Sequence, residues 1–319
     1  MKRPRIVALG GGHGLSASLQ ALRHSSDDIT AVVTVADDGG SSGRLREQFD
    51  ILPPGDLRMA LAALCEDTAW GNQWSAVLQH RFGGTGELAG HALGNLLISA
   101  LWDLLPQQEV RGLDLVGRLL NTRGRVLPMS LVPLSIEAIM QTQDLDGTVR
   151  EETIRGQSQV AGHPGKVVSI RLLPDAPPAC PEALESIKLA DMVVLGPGSW
   201  FTSVMPHLLV PDLREALTNT PALRVLTLNV SLTDDEATGY TVAEHVEAIT
   251  AHAPGLAFDY VIADPDVLRS DEERAALDAA VDGVGATLVL SGVRKMATPG
   301  AHDTLRLAAA YRDVLTVGL

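Results

Sequence analysis

The chain is short of aromatic side chains, of cysteine and of positive charge, and it has no long apolar run. Phe, Trp and Tyr make up 3% of its 319 residues, so a core must be built from Leu, Val, Ile and Ala. That palette suits buried parallel strands covered by helices. Two cysteines, Cys65 and Cys180, can form neither a disulfide framework nor a metal-ligand cluster. They read as free thiols in a reducing compartment. The apolar run Ile6–Leu9 follows the basic Met1–Arg5 and is cut short by glycine. It is too brief for a signal-peptide core or a membrane span, so a cytoplasmic protein without a membrane span is expected. A net charge of −14 excludes the broad basic surface of a nucleic-acid partner. An acidic chain can still hold a phosphate through backbone N–H groups and a few local arginines.

What is present is an ordinary globular balance, 45% apolar and 20% charged, in a chain long enough to bury a large core. Ile6–Leu9 reads as a strand that stops at a glycine loop and passes into a helix carrying Leu15, Leu19 and Leu22 on one face. The β-branched run 29–36 reads as a second buried strand. Further strands are expected at 192–195, 225–230, 258–262 and 287–290, each preceded by a helical pattern. Repeated strand–helix units predict a Rossmann-like α/β fold, with a mainly parallel sheet and helices on both faces. An inserted helical region covers approximately 56–125, broken by glycines at 83–86. An antiparallel extension runs from Val126 to Val168, with a hairpin at Asp146-Gly147. We expect one domain over 1–319.

The chemistry should lie in the loops at the strand ends. Gly10-Gly11-Gly12-His13-Gly14 lets backbone amides approach an anion at a helix N-terminus. It is not the dinucleotide fingerprint, because Leu15 stands at the last glycine place. Asp37 and Asp38 end the second strand, where a nucleotide-binding unit often places an acidic residue. Gly39, Gly40, Ser41, Ser42 and Gly43 follow with small side chains and hydroxyls, then Arg44 and Arg46 with positive charge. These groups could meet a ribose, a base, or Mg²⁺ against phosphates. Asp56 reads as the N-cap of the next helix, or as a ligand group facing the Asp37 pocket together with Arg58. His91 and Asn95, four apart, are expected on one helical face around Gly94. Gly196, Pro197, Gly198 and Ser199 form a third anion-ready strand end, with Thr202 and Ser203 at a helix entrance. Arg294 and Lys295 follow the last strand and could reach a phosphate.

These motifs, in this order, resemble those of the YvcK-type gluconeogenesis factors, within the CofD-like (2-phospho-L-lactate transferase) superfamily. The likeness is carried by Gly10–Ser16, Val35–Arg46, Pro53–Arg58, His91–Leu97 and Gly196–Ser199, and it extends from residue 5 to His302-Asp303. It implies a Rossmann-like fold, a cytoplasmic location and binding of UDP-N-acetylglucosamine or a similar UDP-sugar. It also implies a role in cell shape and wall synthesis on gluconeogenic carbon sources, through cell-wall or regulatory proteins. The transferase branch instead moves a phospholactyl group from a nucleotide diphosphate to a deazaflavin precursor, with Mg²⁺. The Ser-Ser-Gly-Arg-Leu-Arg and Pro-Pro-Gly-Asp forms favour the first branch. A ligand-binding protein is therefore expected ahead of an enzyme, Mg²⁺ and homo-oligomerisation being left open. Two departures stand out. His13 replaces the usual threonine, and 229–236 lacks the Thr-Gln-x-Gly-Glu pattern.

Overall fold

The first apolar run folds as strand β1 (Ile6–Gly10), buried along its whole length, and leads directly into helix α1 (Gly12–Leu22). The computed structural model describes residues 3–143, 148–232, 240–298 and 300–318. β2 (Ile29–Val33) is followed by α2 (Gly40–Phe49), and then by four helices before β3 (Arg125–Pro128). These are α3 (Pro54–Ala63), α4 (Ala69–Gln79), α5 (Leu93–Leu104) and α6 (Glu109–Leu120), which bear out the inserted helical region.

The chain continues through β4 (Ser135–Gln143), β5 (Val149–Arg155), α7 (Gln157–Ala161) and β6 (Lys166–Leu173). Alternation then resumes with α8 (Pro181–Leu189), β7 (Met192–Leu195), a π-helical turn (Trp200–Val204), α9 (Met205–Leu209), α10 (Pro211–Asn219) and β8 (Leu223–Thr227). The last units are α11 (Val242–His252), β9 (Tyr260–Ala263), α12 (Asp271–Gly283), β10 (Thr287–Leu290) and α13 (Thr304–Gly318).

Seven strands form one sheet in the order β10-β9-β8-β7-β1-β2-β3, and every neighbouring pair is parallel. Strands buried on both faces need continuous apolar side chains, which is why Val, Ile and Leu dominate β1, β2 and β7. Helices cover the sheet: α1 packs on α3 and α13, and α11 on α12. Tyr311 shows how a buried hydroxyl is satisfied in such a core. Its OH lies 2.8 Å from Ser18 Oγ and 3.0 Å from Thr227 Oγ1, joining α13 to α1 and β8.

The antiparallel segment is present from β4 to β6 and forms a sheet of its own, in the order β5-β4-β6, whereas Val126, expected at its start, lies in β3 and pairs parallel with Ala31 of the main sheet. The segment's expected turn at Asp146-Gly147 lies outside the described residues. The second strand ends at Val33. Thr34, Val35 and Ala36 follow it as buried chain outside the strand, tied by Thr34 N donating to Gly10 O at 3.0 Å and Leu134 N to Val35 O at 3.4 Å. Among the described residues no helix is long and apolar enough to cross a membrane.

Candidate ligand-binding site

From β1 the strands step outward one way through β2 and β3, and the other way from β7 through β8, β9 and β10. The order therefore reverses between β1 and β7, and open parallel sheets bind ligands in the crevice beyond the strand carboxyl ends at such a point. A cavity of about 420 Å³ lies there, lined by Gly11, Gly12, His13, Gly14, Thr34, Asp37, Asp56, Gln157, Gly198, Ser199, Thr202, Ser203, Asn229, Ser231, Gly300 and His302. Its size suits a small-molecule ligand.

The β1 loop supplies backbone. Gly11 is the N-cap of α1 without a side-chain cap, and the first intrahelical bond runs from Leu15 N to Gly11 O. The amides of the first turn are thus free of helix acceptors. Gly14 is dictated by packing: a Cβ there would stand 2.3 Å from Pro197 O and 2.5 Å from Gly198 Cα. The β1 and β7 loops can touch only because that side chain is missing.

The β7 loop is held from the next strand end. Asn229 Oδ1 accepts from Gly198 N at 3.0 Å, while its Nδ2 donates to Gly198 O at 2.8 Å. Thr202 Oγ1 donates to Ser199 Oγ at 2.7 Å, so a row of hydroxyls borders the cavity.

Two carboxyl groups stand beside the glycine loop, Asp56 against Gly11 and Gly12. Asp37 accepts from Gly39 N at 2.9 Å, but burial holds its pKa above the ordinary value, against the opposing pull of Gly39 and Ser42. Asp56 is pushed up to about 7, first by burial and then by the charge of Asp37, with the Gly12 N–H opposing. Thr34 is 2% exposed, and its Oγ1 has no partner among the described residues. Among the described residues no group of three or more His, Cys, Asp or Glu is arranged to hold a metal. A two-carboxylate wall still fits a hard divalent cation that takes its remaining oxygens from a bound diphosphate and water.

The structure brings Gly11, Gly12, His13, Gly14, Asp37, Asp56, Gly198, Ser199 and Ser203 to this cavity and distributes the other expected residues around it. Asp38 accepts from Ser158 N at 2.9 Å and from Ser158 Oγ at 2.7 Å, anchoring the start of α7, which brings Gln157 to the cavity. Gly39 is the N-cap of α2 and Gly40 its first residue. Ser42 sits beside Asp37. Gly196 N bonds Leu9 O at 3.0 Å, and Pro197 backs Gly14. Ser41, Arg44, Arg58, His91 and Asn95 gather separately, outside the cavity lining. Arg294 is also outside it: its backbone N donates to Asp264, its Nη2 donates to Val230 O at 3.2 Å, and its Nη1 lies 3.9 Å from Asp266.

Two local expectations are corrected. Asp56 is not an N-cap, because α3 begins at Pro54 after Pro53. With Pro53 as the N-cap the helix starts three residues earlier than an Asp56 cap would set it, which leaves the Asp56 carboxyl to the cavity. His91 is not helical, since α5 starts at Leu93 with Ala92 as its N-cap. Thr34, Gln157, Ser231 and Gly300 also line the cavity, as do Asn229 and His302, and none of them belongs to a site motif of the sequence. Asn229 follows β8 as Ser199 follows β7, so strand-end logic could have found it. Nothing in the sequence marks Gln157.

A model of the 2-phospho-L-lactate transferase CofD family matches residues 6–299. The chain belongs to the CofD family. A relative from Mycobacterium tuberculosis, which carries the name gluconeogenesis factor provisionally, is 50% identical over 97% of this chain and 90% of its own. The gluconeogenesis factor of Bacillus subtilis is 39% identical over 79% of this chain and 75% of its own. A crystal structure of a UPF0052 family protein from Bacillus halodurans superposes with a TM-score of 0.82 at 34% identity, covering 97% of this chain and 99% of that one. The naming of these relatives, with the CofD family membership, supports the general role of a gluconeogenesis factor.

Proposed function

We propose that the chain binds a nucleotide sugar, UDP-N-acetylglucosamine or a similar UDP-sugar, at the switch point. In this reading it is a regulatory protein of cell shape and wall synthesis during growth on gluconeogenic carbon, acting in the cytoplasm on cell-wall or regulatory proteins. The observation that supports it best is the meeting of small-residue loops from β1 and β7 against the Asp37–Asp56 wall. The diphosphate would rest on the α1 amides, whose dipoles favour negative charge without adding a cation. The hydroxyls of Ser199, Thr202 and Ser203 and the amide of Asn229 would meet sugar or ribose oxygens.

A second reading, a CofD-like transferase acting on a nucleotide-diphosphate-linked phospholactyl donor, is favoured by the paired carboxyls beside the glycine loop. Asp37 and Asp56 would hold Mg²⁺, which when bound neutralises charge on the phosphates. The α1 amides would orient the diphosphate and stabilise its charge, the main protein contribution in such chemistry.

Calorimetry with UDP-N-acetylglucosamine, with and without Mg²⁺, followed by product analysis, separates the two. Saturable binding with intact ligand supports the regulator. Metal-dependent cleavage of the diphosphate supports the transferase, and absence of binding under both conditions removes the nucleotide-sugar reading.

A further inference from the structure

Ser41, in the first turn of α2, is the hub of a polar cluster beyond the cavity lining. Its Oγ lies 3.0 Å from His91 Nδ1 and accepts from Asn95 Nδ2 at 3.0 Å. Asn95 Oδ1 in turn accepts from Arg58 Nε at 2.9 Å. Arg58 is 3% exposed, and Gly94 makes room for its stem, since a Cβ there would stand 2.8 Å from Arg58 Cγ. Among the described residues that Nε–H contact is the guanidinium's one hydrogen bond. Among those residues no carboxylate stands within ion-pair distance of it, and Nη1 and Nη2 have no protein acceptor. A buried arginine normally meets a carboxylate or phosphate through both arms of its fork.

Two more arginines close on the same place. Arg44 Nη2 donates to Ala89 O at 2.8 Å and Arg81 Nη1 to Gly90 O at 2.9 Å. Consecutive carbonyls thus hold the two guanidiniums immediately before His91. Burial, then Arg44 and Arg81, disfavour protonation of His91. Burial, then Arg81, depress Arg58 to about 10, while Asp56 and Asp37 act on it only through space. In a chain of net charge −14, the fold has gathered three cations whose hydrogen-bond acceptors are neutral carbonyl and amide groups. Like charges held together in this way are stabilised by an anion that joins them.

We propose that Arg44, Arg58 and Arg81, with His91 Nε2, form a second anion subsite that takes a phosphate or carboxylate group of a molecule bound beside the cavity. In a regulator it would fix a second anionic ligand, and in a transferase an anionic arm of the acceptor. It stands apart from the nucleotide-sugar reading.

The test is a titration of the full chain with inorganic phosphate, and in a parallel arm with malonate. The histidine Cε1–Hε1 resonances are the readout. His91, His13 and His302 are assigned from the His91→Gln, His13→Gln and His302→Gln spectra. His91 should move saturably in at least one arm, and the arms identify the oxyanion. Arg58→Gln, and independently Arg81→Gln at an exposed position, should each weaken that response about fivefold or more. Movement of His13 or His302 with His91 still would place the anion in the cavity alone, overturning the subsite and sparing the nucleotide reading. Stillness of all three overturns the subsite and removes support for a phosphate grip in the cavity. A His91 response unchanged in both arginine variants overturns it as well.

Discussion

The cavity between β1 and β7 is walled by main chain and small side chains, whereas the neighbouring cluster at α2, α3 and the α4–α5 turn is crowded with long cationic ones. The first region holds its positive character as fixed partial charges on helix N–H groups, which do not repel one another as full charges do. The second carries full charges that the fold must pin with Ala89 O, Gly90 O and Asn95 Oδ1. Between them lie Asp37 and Asp56, the anionic wall that gives the cavity its mixed polarity. The difference teaches that an acidic protein can present two unlike anion surfaces side by side, one built by omitting side chains and the other by ordering them.

The largest effect should come from refilling the omitted space. Gly14→Ala places a Cβ against Pro197 O, so a loss of about 3 kcal/mol by denaturant unfolding is expected. Gly83→Ala, in open space, serves as the control and should be near neutral. Equal effects would break the claim that the β1–β7 contact dictates the glycine.

Removing the wall comes next. Asp37→Ala should weaken UDP-N-acetylglucosamine binding about tenfold, with a melting temperature nearly unchanged. A large fall in stability with intact affinity would move Asp37 out of the site.

Asp56 sharpens the contrast through pH. A carboxyl raised from 3.8 to about 7 on folding favours the native state while protonated. Its contribution is present below pH 4 and lost as pH rises to about 7. Asp56→Asn should therefore stabilise the protein at pH 8, by on the order of 2 kcal/mol, and change little at pH 4. Thermal unfolding at the two pH values tests the sign.

The smallest effect is expected at the strut between the sheets. Asp38→Ala removes both Ser158 contacts and should cost about 1 kcal/mol. A threefold weakening of ligand binding should accompany it, on the order of 0.7 kcal/mol, because Gln157 loses its anchor. Unchanged binding would show that α7 keeps its place without Asp38.

The strand–helix alternation, the glycine loop, the Asp37 turn and the Ser199 turn were legible because period and punctuation are local properties of the chain. Asp56 is legible as a candidate, but the helix it seems to cap starts three residues earlier, because Pro54 opens α3 with Pro53 as its N-cap. The spacing of His91 and Asn95 suggests a shared helical face, whereas a shared partner, Ser41, brings them together.

By itself the sequence determined the parallel sheet, the order of its loops and the stripping of bulk from three strand ends, all of which follow from neighbours along the chain. Only the tertiary structure decided that the sheet reverses between β1 and β7. It alone brings Asn229, Gln157 and His302 to the cavity of Gly11 and Asp37, and sets Arg44 and Arg81 near His91 with Arg58 joined to it through Asn95 and Ser41. Those meetings join residues far apart in the chain, and packing of strands and helices fixes such distances where no local pattern can.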